Sequence, residues 1–240
     1  MTAAAGRKHV WIWSPQIDVV TAVTVFFIFI HIFKLCISMK FIQLFYVCPY
    51  LKIDIITNDF ISGRRKTMKF TELDTPVMLI DRDILHANCK RMQDYADEQH
   101  VALRPHTKTH KAPYLAKIQR EMGAKGITVA KVGEAEVMAA HGLDDIFIAN
   151  EPVGELKLQR IRNLAEIIDI SFGVDCPEHI EAADRVFEGA AKHAKVVVEI
   201  EVGENRSGII TDDQFMAVLA ALKNAKNVDF LGIFSHEGHC

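Results

Sequence analysis

At 240 residues the chain is long enough for one large domain or two small ones with a substantial core. A formal net charge of -3 supplies no basic excess for counterion release, so a nucleic-acid partner is not expected. Five cysteines, Cys36, Cys48, Cys89, Cys176 and Cys240, are odd in number and lack CxxC or zinc-type spacing. Reduced thiols in a cytoplasmic compartment are expected rather than a disulfide framework.

Residues 1–67 differ in character from the rest. From Val19 to Phe33 the chain is uncharged and apolar, and the apolar character continues past Lys34 to Val47. A membrane helix needs about 20 apolar residues, so residues 19–47 span only if Lys34 snorkels to the interface. Basic residues on both sides, Arg7 and Lys8 before and Arg64, Arg65 and Lys66 after, give no orientation. No small-residue cleavage site follows, which argues against a secretory signal. Three expectations stay open: an adventitious leader outside the folded unit, a membrane anchor, or a packed accessory segment.

From Met68 the pattern changes. Thr75 to Asp81 reads as a short strand closed by Asp81, a helix N-cap. The following helix reaches Glu98 with Leu85, Cys89, Met92 and Ala96 on one face. A strand from Val101 to Lys108 would place Arg104, His106 and Lys108 on one side and Thr107 and Thr109 on the other. Such a face is either a solvated edge or the wall of a polar site, because three such groups cannot be buried unpaired. A helix over 112–122 follows, then strand 126–130, helix 134–140, strand 145–150, helix 156–167 and strand 169–175. Pro177 opens a helix to His193, and a strand covers 195–202. Thr211 and Gln214 have capping-box spacing before a helix to Asn224, and strand 228–235 precedes HEGHC.

Strands alternating with helices of this length indicate βα units and a parallel sheet, an α/β fold. Six strands from Val101 onward amount to an incomplete (β/α)8 TIM-type barrel over residues 68–240. A doubly wound sheet is the alternative, although its GxGxxG fingerprint is missing.

Working residues of a barrel lie at the C-terminal strand ends. Those positions hold Lys108, Lys131, Asn150, Asp175, the loop Gly203 to Gly208, and His236-Glu237-Gly238-His239. Lys131 also reads as a solvated helix-start lysine, and Gly203 to Gly208 as a plain turn. Glu199 and Glu201 fall on one face of their strand, where they could pair with Arg104 and His106 or form purely structural ion pairs. HEGH has neither a third ligand at metal spacing nor the HExxH pattern, so zinc is not expected there.

RPHTKTHK, GITVAKVGEAE, DIFIANEPVG, EVGENRSG and GIFSHEGH, recurring in order at the strand ends from Leu73 to Cys240, resemble the D-threonine aldolase and D-serine dehydratase family. Its barrel is that of the alanine racemase N-terminal domain, in fold-type III. The resemblance implies that Lys108 carries pyridoxal 5'-phosphate. A lysine amine is the nucleophile that condenses with an aldehyde, and a cationic neighbour such as Arg104 would depress its pKa. Arg206 matches the arginine facing the pyridine nitrogen, and a permanently charged guanidinium there would keep that nitrogen unprotonated. His236 matches a residue beside the ring, and backbone N–H groups near Gly238 and His239 match the phosphate cradle. Arg104, His106 and Asn150 are further candidates, while Lys111 is expected to be a bystander.

The family pattern further implies a C-terminal β-domain with a divalent metal, absent here together with two barrel strands, and a homodimer at full length. On that reading the Thr75–Asp81 strand lacks its partner sheet and exposes an edge. The implied activity is a lyase on D-3-hydroxy amino acids, a small-molecule substrate class, with this chain alone showing little activity. D-serine dehydratase is the close alternative, and a non-catalytic pyridoxal-phosphate binding protein or an inactive fragment the alternative of another class.

Overall fold

The computed structural model describes residues 10–13, 52–55 and 66–239, and the chain divides into two compact units, Met1–Cys89 and Lys90–Cys240. The first contains β1 (Val10–Trp13), β2 (Lys52–Ile55), β3 (Lys66–Lys69) and β4 (Met78–Asp81) in a sheet of order β3-β2-β1-β4. The expectation that the Thr75–Asp81 strand lacks a partner sheet is corrected, although β4 is an edge strand of that sheet among the described residues. β4 pairs antiparallel with β1, from Val10 opposite Asp81 to Trp13 opposite Met78. VWIW supplies four residues of the β-branched and aromatic kind that favour extended pairing. The apolar stretch 19–47 lies outside the described residues, and among those described no helix is long and apolar enough to cross a membrane.

Asp81 caps helix α1 (Arg82–Glu98) as expected, its Oδ1 accepting the N–H groups of Asp83 at 3.0 Å and Ile84 at 3.1 Å. The inward face of α1 differs by one residue from the sequence reading: Gln93 is buried and Met92 is exposed. Four residues from Cys89 is Gln93, whose Nε2 donates to Asp97 Oδ1 at 2.8 Å while its buried Oε1 has no hydrogen-bond partner.

The second unit alternates α2 (Pro113–Glu121), β5 (Ile127–Val129), α3 (Val132–Ala140), β6 (Asp145–Ile148), α4 (Glu155–Ala165), β7 (Asp169–Val174), α5 (Pro177–Val186), β8 (Ala194–Glu199), α6 (Asp212–Asn224) and β9 (Val228–Phe234). The strands form one parallel sheet in sequence order, β5-β6-β7-β8-β9. A doubly wound sheet reverses its strand order at a switch point, whereas a barrel adds each strand on the same side. The observed order is that of a barrel wall.

Alternate residues of each strand build the core. Ile127, Val129, Ile146, Ile148, Ile170, Phe172, Val174, Val196 and Val198 are all at most 3% exposed, clustered with Ala135, Met138, Leu158, Ile161 and Ile180 of the helices. Each large aliphatic buried in this way contributes about 1.5–3 kcal/mol. The opposite strand face carries Thr128, Phe147, Ser171, Val197 and Glu199. There the Phe147 and Phe234 rings meet edge to face, 5.0 Å apart.

The expected Val101–Lys108 strand is reduced to a single bridge, His106 opposite Thr128, so the sheet has five strands and a remnant rather than six. Three backbone bonds tie the remnant to the β5 segment: Lys125 N–H to Leu103 O, Thr128 N–H to Pro105 O and Thr107 N–H to Thr128 O. Pro105 has no N–H to extend the ladder. The helix expected to reach His193 stops at Val186, where the chain turns and Ala190 N–H bonds Phe187 O at 3.0 Å. The Thr211–Gln214 capping box forms with both of its reciprocal bonds.

Candidate active site at the C-terminal edge of the parallel sheet

Residues 107–110 turn away from the His106 bridge, and the turn closes on the bond from Lys111 N–H to Thr107 O at 2.8 Å. Thr107 anchors it, fully buried, with Oγ1 donating to Thr128 O at 3.2 Å. Lys108 follows directly and is exposed. Half-buried His106 is held below the usual imidazole range by burial and then by the Lys108 charge, with Glu134 opposing and His236 adding to the shift. Lys108, His106, Glu134 and His236 therefore share one electrostatic neighbourhood.

Arg104 goes elsewhere. Its Nη1 lies 2.7 Å from Oδ1 of Asp145, the first residue of β6, and donates to the carbonyls of Ile127 and Asp145 at 3.4 Å. The guanidinium is spent near the N-terminal end of the sheet, away from the end that carries Lys108. Lys111, the expected bystander to the cofactor, makes an ion pair: its Nζ lies 3.0 Å from Oε1 of the buried Glu134. The expected pairing of Glu199 and Glu201 with Arg104 and His106 is likewise replaced by contacts within their own loop.

That loop follows β8. Glu201 Oε1 accepts the N–H groups of Asn205 at 2.6 Å and Gly203 at 2.8 Å, and these bonds hold Glu201 below the usual carboxylate range. Gly208 closes the loop at φ 98°, where an added Cβ would stand 2.8 Å from Glu201 N. The loop turns Arg206 back over the strand end, its Nη2 3.5 Å from Glu199 Oε1 and its Nε 3.7 Å from Glu204 Oε2. Ser207 Oγ donates to the same Glu199 oxygen at 3.0 Å. His236, after β9, has Nδ1 2.6 Å from Glu204 Oε2, and Gly238 N–H points to that nitrogen at 3.3 Å. A Cβ on Gly238 would fall 2.5 Å from His236 Cε1, so the imidazole packs where a side chain at this position would start. His239 Nε2 approaches Gly203, 3.2 Å from where a Cβ would stand there. Glu199, Glu201, Glu204, Arg206, Ser207 and His236 line one concavity.

Of the remaining candidates, Asn150 ties two strand ends together. Its Nδ2 donates to Ala130 O at 3.3 Å and its Oδ1 accepts Glu151 N–H at 3.0 Å. The Glu151 carboxyl is pushed up to about 8 by burial and by neighbouring Glu199 and Asp175. Lys131 is exposed at the start of α3, as a helix-start lysine would be. Sequence reasoning missed Glu134 and Glu151, and also the grouping of Asp175, Cys176 and His179, whose ligand atoms lie within 4.8 Å of one another. The signal was an Asp-Cys-x-x-His run at a strand-to-helix junction.

The family model described as "Alanine racemase, N-terminal domain" matches residues 80–240. The chain belongs to the alanine racemase N-terminal domain family. This is a fold-type III pyridoxal-phosphate family. D-threonine aldolase of Arthrobacter sp is 37% identical over 166 residues, 69% of this chain and 44% of that protein. 3-Hydroxy-D-aspartate aldolase of Paracoccus denitrificans is 30% identical over 173 residues, 71% of this chain and 45% of that protein. The crystal structure of D-threonine aldolase from Filomicrobium marinum superposes with a TM-score of 0.60 at 36% identity, over 63% of this chain and 41% of that one. Alanine racemase from Bacillus anthracis, 21% identical with a TM-score of 0.55 over 64% of this chain and 39% of that one, shares the fold. The chain spans less than half the length of the curated relatives named here. In this racemase-type barrel wall, Lys108, Arg206 and His236 all lie beyond the C-terminal ends of sheet positions.

Proposed function

We propose that the chain is the cofactor-binding barrel portion of a pyridoxal-phosphate lyase acting on D-3-hydroxy amino acids, of the D-threonine aldolase type. The observation that carries this reading is an exposed lysine at the C-terminal edge of a racemase-type sheet, in a chain 37% identical to a D-threonine aldolase.

The residues present fit the cofactor. Lys108 offers an exposed primary amine, Arg206 a guanidinium at the strand ends, and Gly238 a backbone N–H beside the His236 imidazole. Lys108 would hold the aldehyde, Arg206 would face the ring nitrogen, His236 would lie beside the ring, and backbone N–H groups near Gly238 and His239 would take the phosphate. Pyridoxal phosphate, when bound, supplies an electron sink for charge developing at the substrate Cα. The chain's own residues prepare the ground. Glu204 fixes the imidazole of His236 through Nδ1, Glu199 and Glu204 orient the Arg206 guanidinium, and Thr107 pins the turn that presents Lys108.

D-serine dehydratase is the second reading, because a D-serine dehydratase of Schizosaccharomyces pombe is 28% identical over 70% of this chain. Borohydride reduction of the chain loaded with pyridoxal phosphate, followed by peptide mapping, tests the lysine. The mass addition should fall on Lys108 and vanish in Lys108→Ala; a label on another lysine sinks the assignment. Assays with added divalent metal then separate the activities. Glycine and acetaldehyde from D-threonine support the aldolase, and pyruvate from D-serine without aldol cleavage replaces it with the dehydratase.

A further inference from the structure

We propose that Asp175, Cys176 and His179 form a binding site for one divalent transition-metal ion of the zinc class, at the junction of β7 and α5. The three residues stand at i, i+1 and i+4 across the strand end and the first helical turn. One carboxylate oxygen, one sulfur and one imidazole nitrogen form a mixed donor set suited to zinc, with a fourth position left for water. The three ligand atoms lie within 4.8 Å of one another. A tetrahedral zinc would draw them to separations of roughly 3.3–3.8 Å, given bonds of about 2.0–2.3 Å, a closure that side-chain rotation supplies.

Two observations point to a ligand here. First, His179 Nδ1 is buried 3.0 Å from Asp175 Oδ1 without a hydrogen bond of its own. That ring nitrogen and carboxylate oxygen already face one another, as two ligands of one ion would. Second, the other carboxylate oxygen, Oδ2, accepts Gly208 N–H at 3.3 Å. That bond steadies the carboxylate and leaves Oδ1 for the ion, the outer support that metal ligands ordinarily have.

The surroundings favour a cation. The carboxylates of Glu151 and Asp175 lie close enough to act on each other, and Glu199 is beside Glu151. Metal binding would release the thiol proton to solvent as the metal–sulfur bond forms. Through Gly208 the ion would also steady the loop that carries Arg206. The site uses only residues within the barrel wall, separate from the metal that the family resemblance puts in a C-terminal domain.

The test is cobalt titration of the full chain, stripped with chelator and kept reduced. The expected result is a near-ultraviolet thiolate-to-cobalt charge-transfer band with intense visible bands of a tetrahedral centre, both displaced by zinc. Cys176→Ser, which places a favoured capping residue at the same N-cap, should keep the far-ultraviolet circular dichroism and lose the charge-transfer band. His179→Gln should weaken zinc by at least about 100-fold, the upper end of what removing an outer-shell partner costs. Cys89→Ser should leave the spectrum unchanged. No charge-transfer band in the parent chain, a band that persists in Cys176→Ser, or a band lost in Cys89→Ser would each overturn the site. None of these readouts depends on pyridoxal phosphate, so the outcome is independent of the lyase reading.

Discussion

The ammonium of Lys111 lies 3.0 Å from Oε1 of Glu134, whose other oxygen accepts the Ala130 N–H at 2.9 Å. One carboxylate thus joins the start of α3, the end of β5 and the turn that carries Lys108. Lys111 also sits at φ 50°, a conformation that a β-carbon resists unless its surroundings enforce it. Removing the ammonium leaves a buried carboxylate short of its counter-charge. Lys111→Met should lower stability by about 1–2 kcal/mol, less than a fully buried pair because the lysine is partly solvated. Lys111→Arg should recover part of the loss in urea melts. Amide exchange should speed at Thr107 and Thr128 in Lys111→Met, since Thr107 N–H is bonded across to Thr128 O.

Gly208 is constrained twice, by φ 98° and by the approach of Glu201 N and the Ile200 carbonyl carbon to within 2.8 and 2.9 Å of any Cβ. Both neighbours are backbone and cannot step aside as a side-chain tip can. Gly208→Ala should cost about 2–4 kcal/mol in thermal or urea unfolding. Gly142, also at positive φ but with open space around it, should cost less as alanine, which separates the clash from the conformational strain.

The barrel wall was legible because each strand is a short β-branched run between amphipathic helices, a pattern that both the spacing and the apolar faces report. GITVA, DIFIAN and KVVVEIEV became β5, β6 and β8 with their ends within a few residues of expectation. What escaped were relations across long sequence separations. Nothing local in VWIW says that it pairs with Met78–Asp81, and nothing in RPHTK says that Arg104 will find Asp145, 41 residues on. Strict alternation misled at RPHTK because Pro105 breaks the ladder, so Arg104 and Lys108 do not act as neighbours on one face. Cys176 was overlooked for a similar reason, since Asp-Cys-x-x-His resembles no familiar zinc spacing and gains meaning only when the helix turn folds His179 back.

Arg104 and Asp145 form a half-buried pair with two further backbone contacts, which gives Arg104 a structural assignment. Arg104→Met should destabilise the chain by about 1–3 kcal/mol while leaving the labelling of Lys108 by pyridoxal phosphate intact. Asp145→Asn should reproduce most of that loss, and the double variant should be less than additive because the two groups share one interaction. A loss of labelling at preserved stability would return Arg104 to the cofactor site.

His106 reports on Lys108 without any cofactor. Burial is the larger cause of its low pKa and the Lys108 charge the next, so Lys108→Ala should raise the His106 pKa toward the ordinary imidazole value without reaching it. The imidazole proton resonances, followed by NMR against pH, measure this directly. His236→Gln should move His106 in the same direction by less, since its charge is the weakest of the named causes.

Glu151 gives the stability curve a distinctive slope. Its carboxyl rises from an ordinary 4.5 to about 8, first through burial and then through Glu199 and Asp175. The folded chain therefore binds this proton more tightly than the unfolded chain, and between those values folding takes a proton up. Stability should then fall as pH rises through the window and level off above it, opposite to the behaviour of a salt-bridged carboxylate. Partial solvation of the group limits the change to about 1–2 kcal/mol, well below full linkage. Glu151→Gln keeps the shape, removes the titration and places an amide against Glu199. Urea unfolding at about pH 5 and about pH 9 should show the parent weakening across that range and the variant nearly flat, so that the variant is the more stable protein at the alkaline end. Equal slopes for the two proteins would mean that Glu151 titrates as an ordinary surface glutamate.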